Sequence, residues 1–288
     1  MSIGAVIVTY NRKELLRECL LAVQAQTHPV DHVLIVDNAS DDGTPGLVRS
    51  EFGDLELLEL PTNEGAAGGF HEGMKAGIER DFEWLWVMDD DTIPNPDALE
   101  RLLERLEDLG DLPEPVMLAS KIVWTDGRVH PMNPPGPAMM DIDLFVRATA
   151  RALIPLRSST FPSMLVRTDA IRRHKLPQKH FFLWSDDIDF SARILRDEVG
   201  YMVPASVAVH KTKVAHKPAD GGPRFYYAVR NGLFILRGDS LRWNEKIGHL
   251  LLIASQVREY LINNSFKLSA IRTVLRGLRH GLLRSHSG

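Results

Sequence analysis

Trp84-Leu85-Trp86-Val87-Met88-Asp89-Asp90-Asp91 is a short apolar run that ends in three consecutive carboxylates. A run of this length, too short for a helix and bounded by polar residues, reads as a buried strand with the acids at its carboxyl end. Upstream, Gly4 to Val8 within the apolar stretch from Ile3 makes a first strand running into Thr9-Tyr10-Asn11. A helical pattern follows, with Leu15, Leu16, Cys19, Leu20 and Val23 on one face. After the break at Pro29, His32 to Val36 forms a second strand, closed by the polar loop Asp37-Asn38-Ala39-Ser40-Asp41-Asp42-Gly43-Thr44. A helix and a strand from Leu55 to Leu60 come next, and Asn63 to Gly69 opens a helix through Gly77 that leads back to Trp84. This alternation predicts right-handed β-α-β crossovers and an α/β fold: a mainly parallel sheet with helices on both faces. Ligands in such sheets sit beyond the carboxyl ends of the strands, where three polar loops follow three apolar runs.

Downstream, Asp111 to Pro137 is rich in Pro and Gly around a strand-like piece from Val116 to Trp124. Pro131 to Phe161 offers no regular pattern, a length more typical of a functional loop than of a simple connection. Phe181-Phe182-Leu183-Trp184 then precedes Ser185-Asp186-Asp187-Ile188-Asp189-Phe190 and a helical run through Arg193 and Arg196. Another strand, Tyr201 to Val209, delivers His210, and Asn244 to Leu283 reads as two or three amphipathic helices. The expected organisation is a catalytic domain over residues 1–243 and a helical appendage over 244–288.

Composition bounds the class. Of 288 residues, 44% are hydrophobic and 25% charged, ordinary for a globular protein. No apolar run approaches the roughly eighteen residues needed to span a bilayer, and the amino terminus lacks the pattern of a signal peptide, so a soluble cytoplasmic protein is expected. A single cysteine, Cys19, rules out an intrachain disulfide and a cysteine-based zinc cluster. The net charge of -4 gives no reason to expect nucleic acid, yet from Lys246 onward seven Lys or Arg residues face one acid, Glu259.

Three adjacent acids at a buried strand end repel one another unless a cation compensates them. Carboxylate oxygens suit Mg2+ or Mn2+, which keep positions open for the oxygens of a diphosphate. An acidic turn capping the next helix is the alternative. Asp37 ends its strand where a carboxylate can accept hydrogen bonds from a ribose or a uracil imide, with turn chemistry as the alternative. The glycines between Asn63 and Gly69 permit close backbone approach to a ligand at a helix start. The acids at Asp186 and Asp187 can cap their helix, and a carboxylate beside aromatic walls is also placed to take a proton from an acceptor hydroxyl. His210 as a neutral imidazole can complete a metal site with two aspartates, or serve structurally.

Taken together these residues resemble the family-two glycosyltransferases of the GT-A fold over roughly Ile3 to Leu236. The resemblance is carried by Val6-Ile7-Val8-Thr9-Tyr10-Asn11-Arg12, by Val36 to Thr44, by Asn63 with Gly65 and Gly68-Gly69-Phe70, and by Asp89-Asp90-Asp91. Trp184 to Phe190, His210 and Tyr226-Tyr227-Ala228-Val229-Arg230-Asn231 complete it. The resemblance implies an inverting single displacement from a nucleotide-diphosphate sugar. Donor contacts would come from Thr9, Tyr10, Asn11, Arg12, Asp37, Asn63, Gly65, Gly69, Asp89 and Asp90, with Thr9 and Asp37 near base and ribose. Asp89, Asp91 and His210 would surround Mn2+ or Mg2+, and Asp187 would be the general base. Trp184, Asp186, Tyr227, Arg230 and Asn231 would line the acceptor pocket.

Within the family, Gly68-Gly69-Phe70, the triple aspartate and the Trp-x-Asp-Asp pattern look most like bacterial galactofuranosyltransferases, with rhamnosyltransferases of cell-surface polysaccharide synthesis next. The implied donor is UDP-galactofuranose, or else dTDP-rhamnose. Ser185 departs from the galactofuranosyl pattern, which places Trp directly before the two acids, and this bears on acceptor choice. The basic carboxyl-terminal helices fit a transferase working on a glycan or lipid-linked acceptor at the inner face of the plasma membrane, since a basic amphipathic segment can rest on an anionic bilayer. A packed helical cap or an oligomer contact accounts for them as well. Two other classes compete: a non-catalytic nucleotide-sugar binding protein, for which a proton acceptor is superfluous, and a pyrophosphorylase, for which an amino-terminal basic glycine-rich loop is missing.

Overall fold

The structure, a computed structural model, describes residues 1–214 and 218–283. Strand β1 (Ile3–Thr9) is buried along its whole length, as its unbroken apolar run requires of a central strand. It is followed by α1 (Lys13–Gln24), β2 (His32–Asp37), α2 (Thr44–Glu51), β3 (Glu56–Glu59), α3 (Gly65–Glu79) and β4 (Trp84–Asp89). Then come β5 (Thr92–Pro94), α4 (Ala98–Glu107), β6 (Met117–Val123), β7 (Gly136–Pro137), α5 (Ile142–Ala150), β8 (Ile154–Ser158) and β9 (Met164–Arg167). The chain continues through α6 (Thr168–His174), α7 (Asp186–Ile194), β10 (Gly200–His210), α8 (Phe225–Arg237), α9 (Trp243–Asn263) and α10 (Leu268–Leu283).

The strands form one sheet in the order β3-β2-β1-β4-β9-β6-β10-β8-β7, with β5 on β10. The first half, β3-β2-β1-β4, is parallel, as the crossovers predict. Beyond β4 the sheet is mixed: β9 runs antiparallel to both β4 and β6, while β6 and β10 are parallel. The reason is the path of the chain. The excursion after β6 leaves and re-enters at the same end of the sheet, so β9 has to run back.

Side chains alternate along β4: Trp84, Trp86 and Met88 join a core with Leu16, Cys19, Leu20 and Leu99, whereas Leu85 and Val87 join one with Phe70, Met74 and Phe190. Helices therefore cover both faces. A buried hydroxyl chain ties β4, β6 and β10 to the residue before β9 and to α4. Trp86 Nε1 donates to Ser163 Oγ (3.1 Å), Ser163 Oγ lies 2.6 Å from Ser120 Oγ, Ser120 Oγ lies 2.6 Å from Ser206 Oγ, and Ser206 Oγ donates to the Ala98 carbonyl (2.7 Å). Because the chain starts at an obligate donor and ends at an obligate acceptor, the hydroxyl protons all point one way.

The stretch from Pro131 to Phe161, in which no regular element was expected, holds β7, α5 and β8. Asp141 caps α5 by accepting from the Leu144 amide at 2.9 Å. Ala148 is the sole buried residue of α5. At the carboxyl end, Phe225, Ala228 and Val229 of α8 pack with Tyr260, Ala270 and Val274, so α9 and α10 share their core with α8.

Candidate active site

The sheet register sets the strand ends side by side: Thr9 pairs with Asp37, and Val8 with Asp89. The order 3-2-1-4 reverses direction at β1, so the polar loops after β1, β2 and β4 surround a topological switch point. Asp37 is 1% exposed. Its Oδ2 accepts from the Ser40 amide (3.0 Å), while its buried Oδ1 has no protein partner. An orphaned carboxylate oxygen at a strand end suits a donor brought by a ligand, such as a ribose hydroxyl or a base imide.

The three consecutive acids separate by function. Asp90 turns back into the protein, accepting from the Thr9 hydroxyl (2.8 Å), the Tyr10 amide (3.3 Å) and Arg12 Nη1 (3.3 Å). Thr9 and Asp90, expected to touch the donor, are thus engaged with each other, because a buried hydroxyl and a buried carboxylate at adjacent strand ends satisfy one another. Asp89, Asp91 and His210 converge instead, with ligand atoms all within 4.8 Å of one another. Asp91 also binds the Arg12 guanidinium.

The donor set fits a divalent cation on a specific observation. His210 Nδ1 lies 2.7 Å from Asn133 Oδ1, whose own amide nitrogen donates to Thr160 Oγ1 at 3.0 Å. An amide oxygen only accepts, so Nδ1 carries the hydrogen. Nε2 is left with its lone pair 3.1 Å from Asp91 Oδ1. Two acceptors at that distance require a proton or a cation shared between them.

With a proton on Nε2 in place of a cation, the three acids titrate apart. Burial pushes Asp89 well above the usual carboxylate range, reinforced by the charges of Asp91, Asp90 and Asp186. Burial also raises Asp90 to about 7, against the pull of Arg12 and the hydrogen bonds from Thr9 and Tyr10. Asp91 goes the other way: against the effect of burial, His210 and Arg12 hold it down to about 2.

Across the same cleft stands the amino terminus of α7. The cavity, about 730 Å³, is lined by Arg12, Asp89, Asp91 and His210 together with Trp184, Asp186 and Asp187. Asp187 is partly buried, and its Oδ1 accepts from the Ile188 amide at 2.7 Å. Burial raises it to about 6, although backbone amides favour its charged form. Asp186 is 3% exposed with Oδ2 unpartnered, and burial and the charge of Asp187 raise it well above the ordinary range.

The turn that delivers these acids is strained: Phe182, Trp184 and Ser185 have φ of 63°, 64° and 66°. Left-handed backbone in residues with a side chain costs roughly 1–3 kcal/mol each and persists only where the surroundings over-determine it. The surroundings here are Asn231 and Arg230. The Asn231 amide donates to the carbonyls of Phe181 (3.1 Å), Leu183 (2.8 Å) and Trp184 (2.7 Å). Arg230 donates to the carbonyls of His180 (3.0 Å) and Phe181 and to Asn231 Oδ1 (2.8 Å). Tyr227 stacks on Phe182, ring centroids 5.5 Å apart, and lies under the Arg230 guanidinium. Tyr227, Arg230 and Asn231, expected to line the acceptor pocket, are absent from the cleft wall; they hold the turn that presents Trp184 and the acids.

The expected ligand-facing glycines are also occupied by protein. A Cβ on Gly65 (φ 74°) would lie 2.0 Å from the Phe182 carbonyl oxygen, and one on Gly69 would lie 2.4 Å from Val8 Cγ1. Both are glycine so that α3 can press against the strained turn and β1. Asn63 accepts from the Gly65 amide (2.8 Å), and Asn11 accepts from the Asp41 amide (2.8 Å), so both organise loops. Tyr10 is exposed beside them.

Two cleft residues escaped sequence reading. Asn133, which orients His210, lies in the stretch without periodicity, and nothing local signals its role. Arg157 lines the cleft and is fixed by Glu245 (2.7 and 2.8 Å) and by the carbonyls of Ala192 and Ser240 (both 2.6 Å), tying α9 to the catalytic face.

Residues 5–126 match the family described as Glycosyl transferase family 2. Galactofuranosyltransferase GlfT1 of Mycolicibacterium smegmatis is 27% identical over 255 residues, covering 83% of this chain and 84% of that protein. Among solved structures, S. aureus TarS 1-349 in complex with UDP superposes with a TM-score of 0.65 at 16% identity, covering 98% of this chain and 80% of that one. GalNAc-T7 with UDP, GalNAc and Mn2+ superposes with a TM-score of 0.63 at 13% identity, covering 85% of this chain and 49% of that one.

Proposed function

We propose, from the premise that this chain is a family-two glycosyltransferase with the GT-A fold, that it is a metal-dependent inverting galactofuranosyltransferase. Its donor would be UDP-galactofuranose and its acceptor a hydroxyl of a cell-surface glycan or lipid-linked glycan. The observation that carries the reading is one cleft lined both by Asp89, Asp91 and His210, which could hold a cation, and by a carboxylate of raised pKa. The likeness to GlfT1 over most of both chains supports the choice of sugar.

Asp89, Asp91 and His210 would hold Mn2+ or Mg2+, which when bound neutralises charge on the diphosphate of the donor. Asn133 fixes the His210 tautomer that leaves Nε2 free to ligate. The unpartnered Oδ1 of Asp37 would receive the nucleoside. Asp187 in its ionised form would take the proton of the acceptor hydroxyl as that oxygen attacks the anomeric carbon, and the nucleoside diphosphate would leave from the opposite face. Arg12, beside the acids, would stabilise the departing phosphate charge. Trp184 supplies an apolar wall on the acceptor side, and Asp186, held protonated by burial, can donate to an acceptor oxygen.

The test is calorimetric titration with UDP and with dTDP, each with and without Mn2+, followed by turnover on the matching nucleotide sugars. Metal-dependent UDP binding with release of UDP from UDP-galactofuranose is the expected result. A preference for dTDP would replace galactofuranose by rhamnose. Binding without turnover in the presence of glycan acceptors would overturn the catalytic reading.

A further inference from the structure

Helix α10 buries Ala270, Val274, Gly277 and Gly281 along one stripe. On the outer side it exposes Leu268, Leu275 and Leu282, at 61%, 58% and 58%. Leucines seven residues apart lie on one line after two turns. Beside that line run the exposed Arg272, Arg276 and Arg279, which with Leu275 and His280 line a shallow recess of about 390 Å³. None of the three arginines forms an ion pair with a carboxylate among the described residues. Arg276 is steadied over the Tyr226 ring, 4.9 Å from its centroid.

Helix α9 repeats the arrangement. Its inner face places Ile253 and Tyr260 in the core, and Leu252, Gln256 and Glu259 line the cleft. Its outer stripe is Trp243, Ile247, Leu250 and Leu251, exposed at 82%, 63%, 53% and 66% and spaced for one helical face. Neither helix is long and apolar enough to cross a membrane. An indole and aliphatic stripes beside unneutralised arginines have the chemistry of a helix lying in the headgroup boundary.

We propose that the outer face of α9 and α10 docks on an anionic phospholipid bilayer, with the leucine stripe and Trp243 at the acyl boundary and Arg272, Arg276 and Arg279 against lipid phosphates. Charge complementarity selects this occupant over a second copy of the chain. In a two-fold dimer the same arginine faces would meet, placing like charges together without compensating acids. Because α9 is also a wall of the cleft, docking sets the cleft beside the bilayer surface. The inference does not depend on which sugar is transferred.

The experiment is co-sedimentation of the full chain with vesicles of phosphatidylcholine alone and of phosphatidylcholine with phosphatidylglycerol. The protein is expected to bind the anionic vesicles and to be released by added salt. Arg272→Gln, Arg276→Gln and Arg279→Gln together should weaken binding on the order of a hundredfold, at about fivefold per arginine near the surface. Leu275→Ser with Leu282→Ser should weaken it further, with circular dichroism melts confirming that each variant folds. Failure of the parent chain to bind anionic vesicles, or unchanged binding by the triple variant, would overturn the proposal. So would a dimer in sedimentation velocity that Leu275→Glu dissolves while anionic vesicles leave it intact, since a second copy would then occupy the face.

Discussion

Two acidic clusters face each other across the cleft, and they are built in opposite ways. Asp89 to Asp91 sit at a strand end with Arg12 and His210 beside them, and Asp91 is held down to about 2. Asp186 and Asp187 sit at a helix start with backbone amides and aromatic neighbours; burial raises Asp187 to about 6 and also raises Asp186. The first cluster concentrates negative charge where a cation can answer it. The second lacks a comparable counter-cation, so its acids keep protons up to the pH at which proton transfer is useful. Under the proposed function, one chain would separate cation binding from proton transfer by environment alone, with the same side chain at both sites.

The sharpest way to break the comparison is Asp187→Asn. Turnover should fall by about 10²–10⁴, the usual range for a positioned base, while calorimetric UDP affinity stays within twofold to threefold, roughly the scatter of a neutral substitution. Turnover close to the parent's would remove Asp187 from the mechanism. The opposite signature belongs to Asp91→Ala and His210→Ala, which should abolish the gain in UDP affinity on adding Mn2+. Asn133→Ala should weaken that gain by about 10–100-fold through the misoriented imidazole. An undiminished metal effect in Asn133→Ala would mean that the tautomer is set by other contacts.

Asn231→Ala tests whether the second cluster is held by its clamp. The carbonyls of Leu183 and Trp184 lose their donor while that of Phe181 keeps Arg230, so the melting temperature should drop in line with a destabilisation of roughly 2–4 kcal/mol, and turnover should fall with donor affinity retained. Equal losses in donor binding and turnover would point to general unfolding instead.

The mildest effect is on pH. Asp187 must be ionised to accept a proton, so kcat/KM should rise with pH through about 6, the limb moving lower when the cation is loaded. For stability the sign is reversed. A carboxyl whose folded pKa exceeds its unfolded value of about 3.9 binds more protons when folded, so its contribution is lost as pH rises between the two values. Asp187→Asn should therefore melt no lower than the parent at neutral pH, and a clearly lower melting temperature would show that the ionised group is structurally satisfied.

Much of this was legible along the chain, and the pattern of what was not is physical. Strands β1, β2 and β4 announce themselves because they are buried on both faces, and their polar ends mark the cleft. Helix α5 did not, because it is nine residues long and follows a stretch broken by Pro131, Pro134, Pro135 and Pro137. The antiparallel entry of β9 was hidden for another reason: strand direction depends on where the preceding excursion ends, which no local pattern records.

The residues around Asn231 teach the finer distinction. Residue type and order bring Tyr227, Arg230 and Asn231 into the family pattern, and a polar side chain near a cleft reads as a ligand contact. In the fold Arg230 and Asn231 donate to backbone carbonyls 47 to 50 residues away in sequence, and Tyr227 stacks on Phe182. Gly65 and Gly69 follow the same rule, since the absence of a side chain serves whichever neighbour comes closest, and here that neighbour is Phe182 or Val8.

Sequence alone determined the α/β class, the strand-end location of the cleft and the identity of its acids, because burial periodicity and runs of like charge are local properties. Tertiary structure decided which acids converge with His210, which carries a raised pKa and which polar residues support the turn rather than line the cleft. Those outcomes depend on distances between groups far apart in the chain, and desolvation and hydrogen bonding are set by such distances.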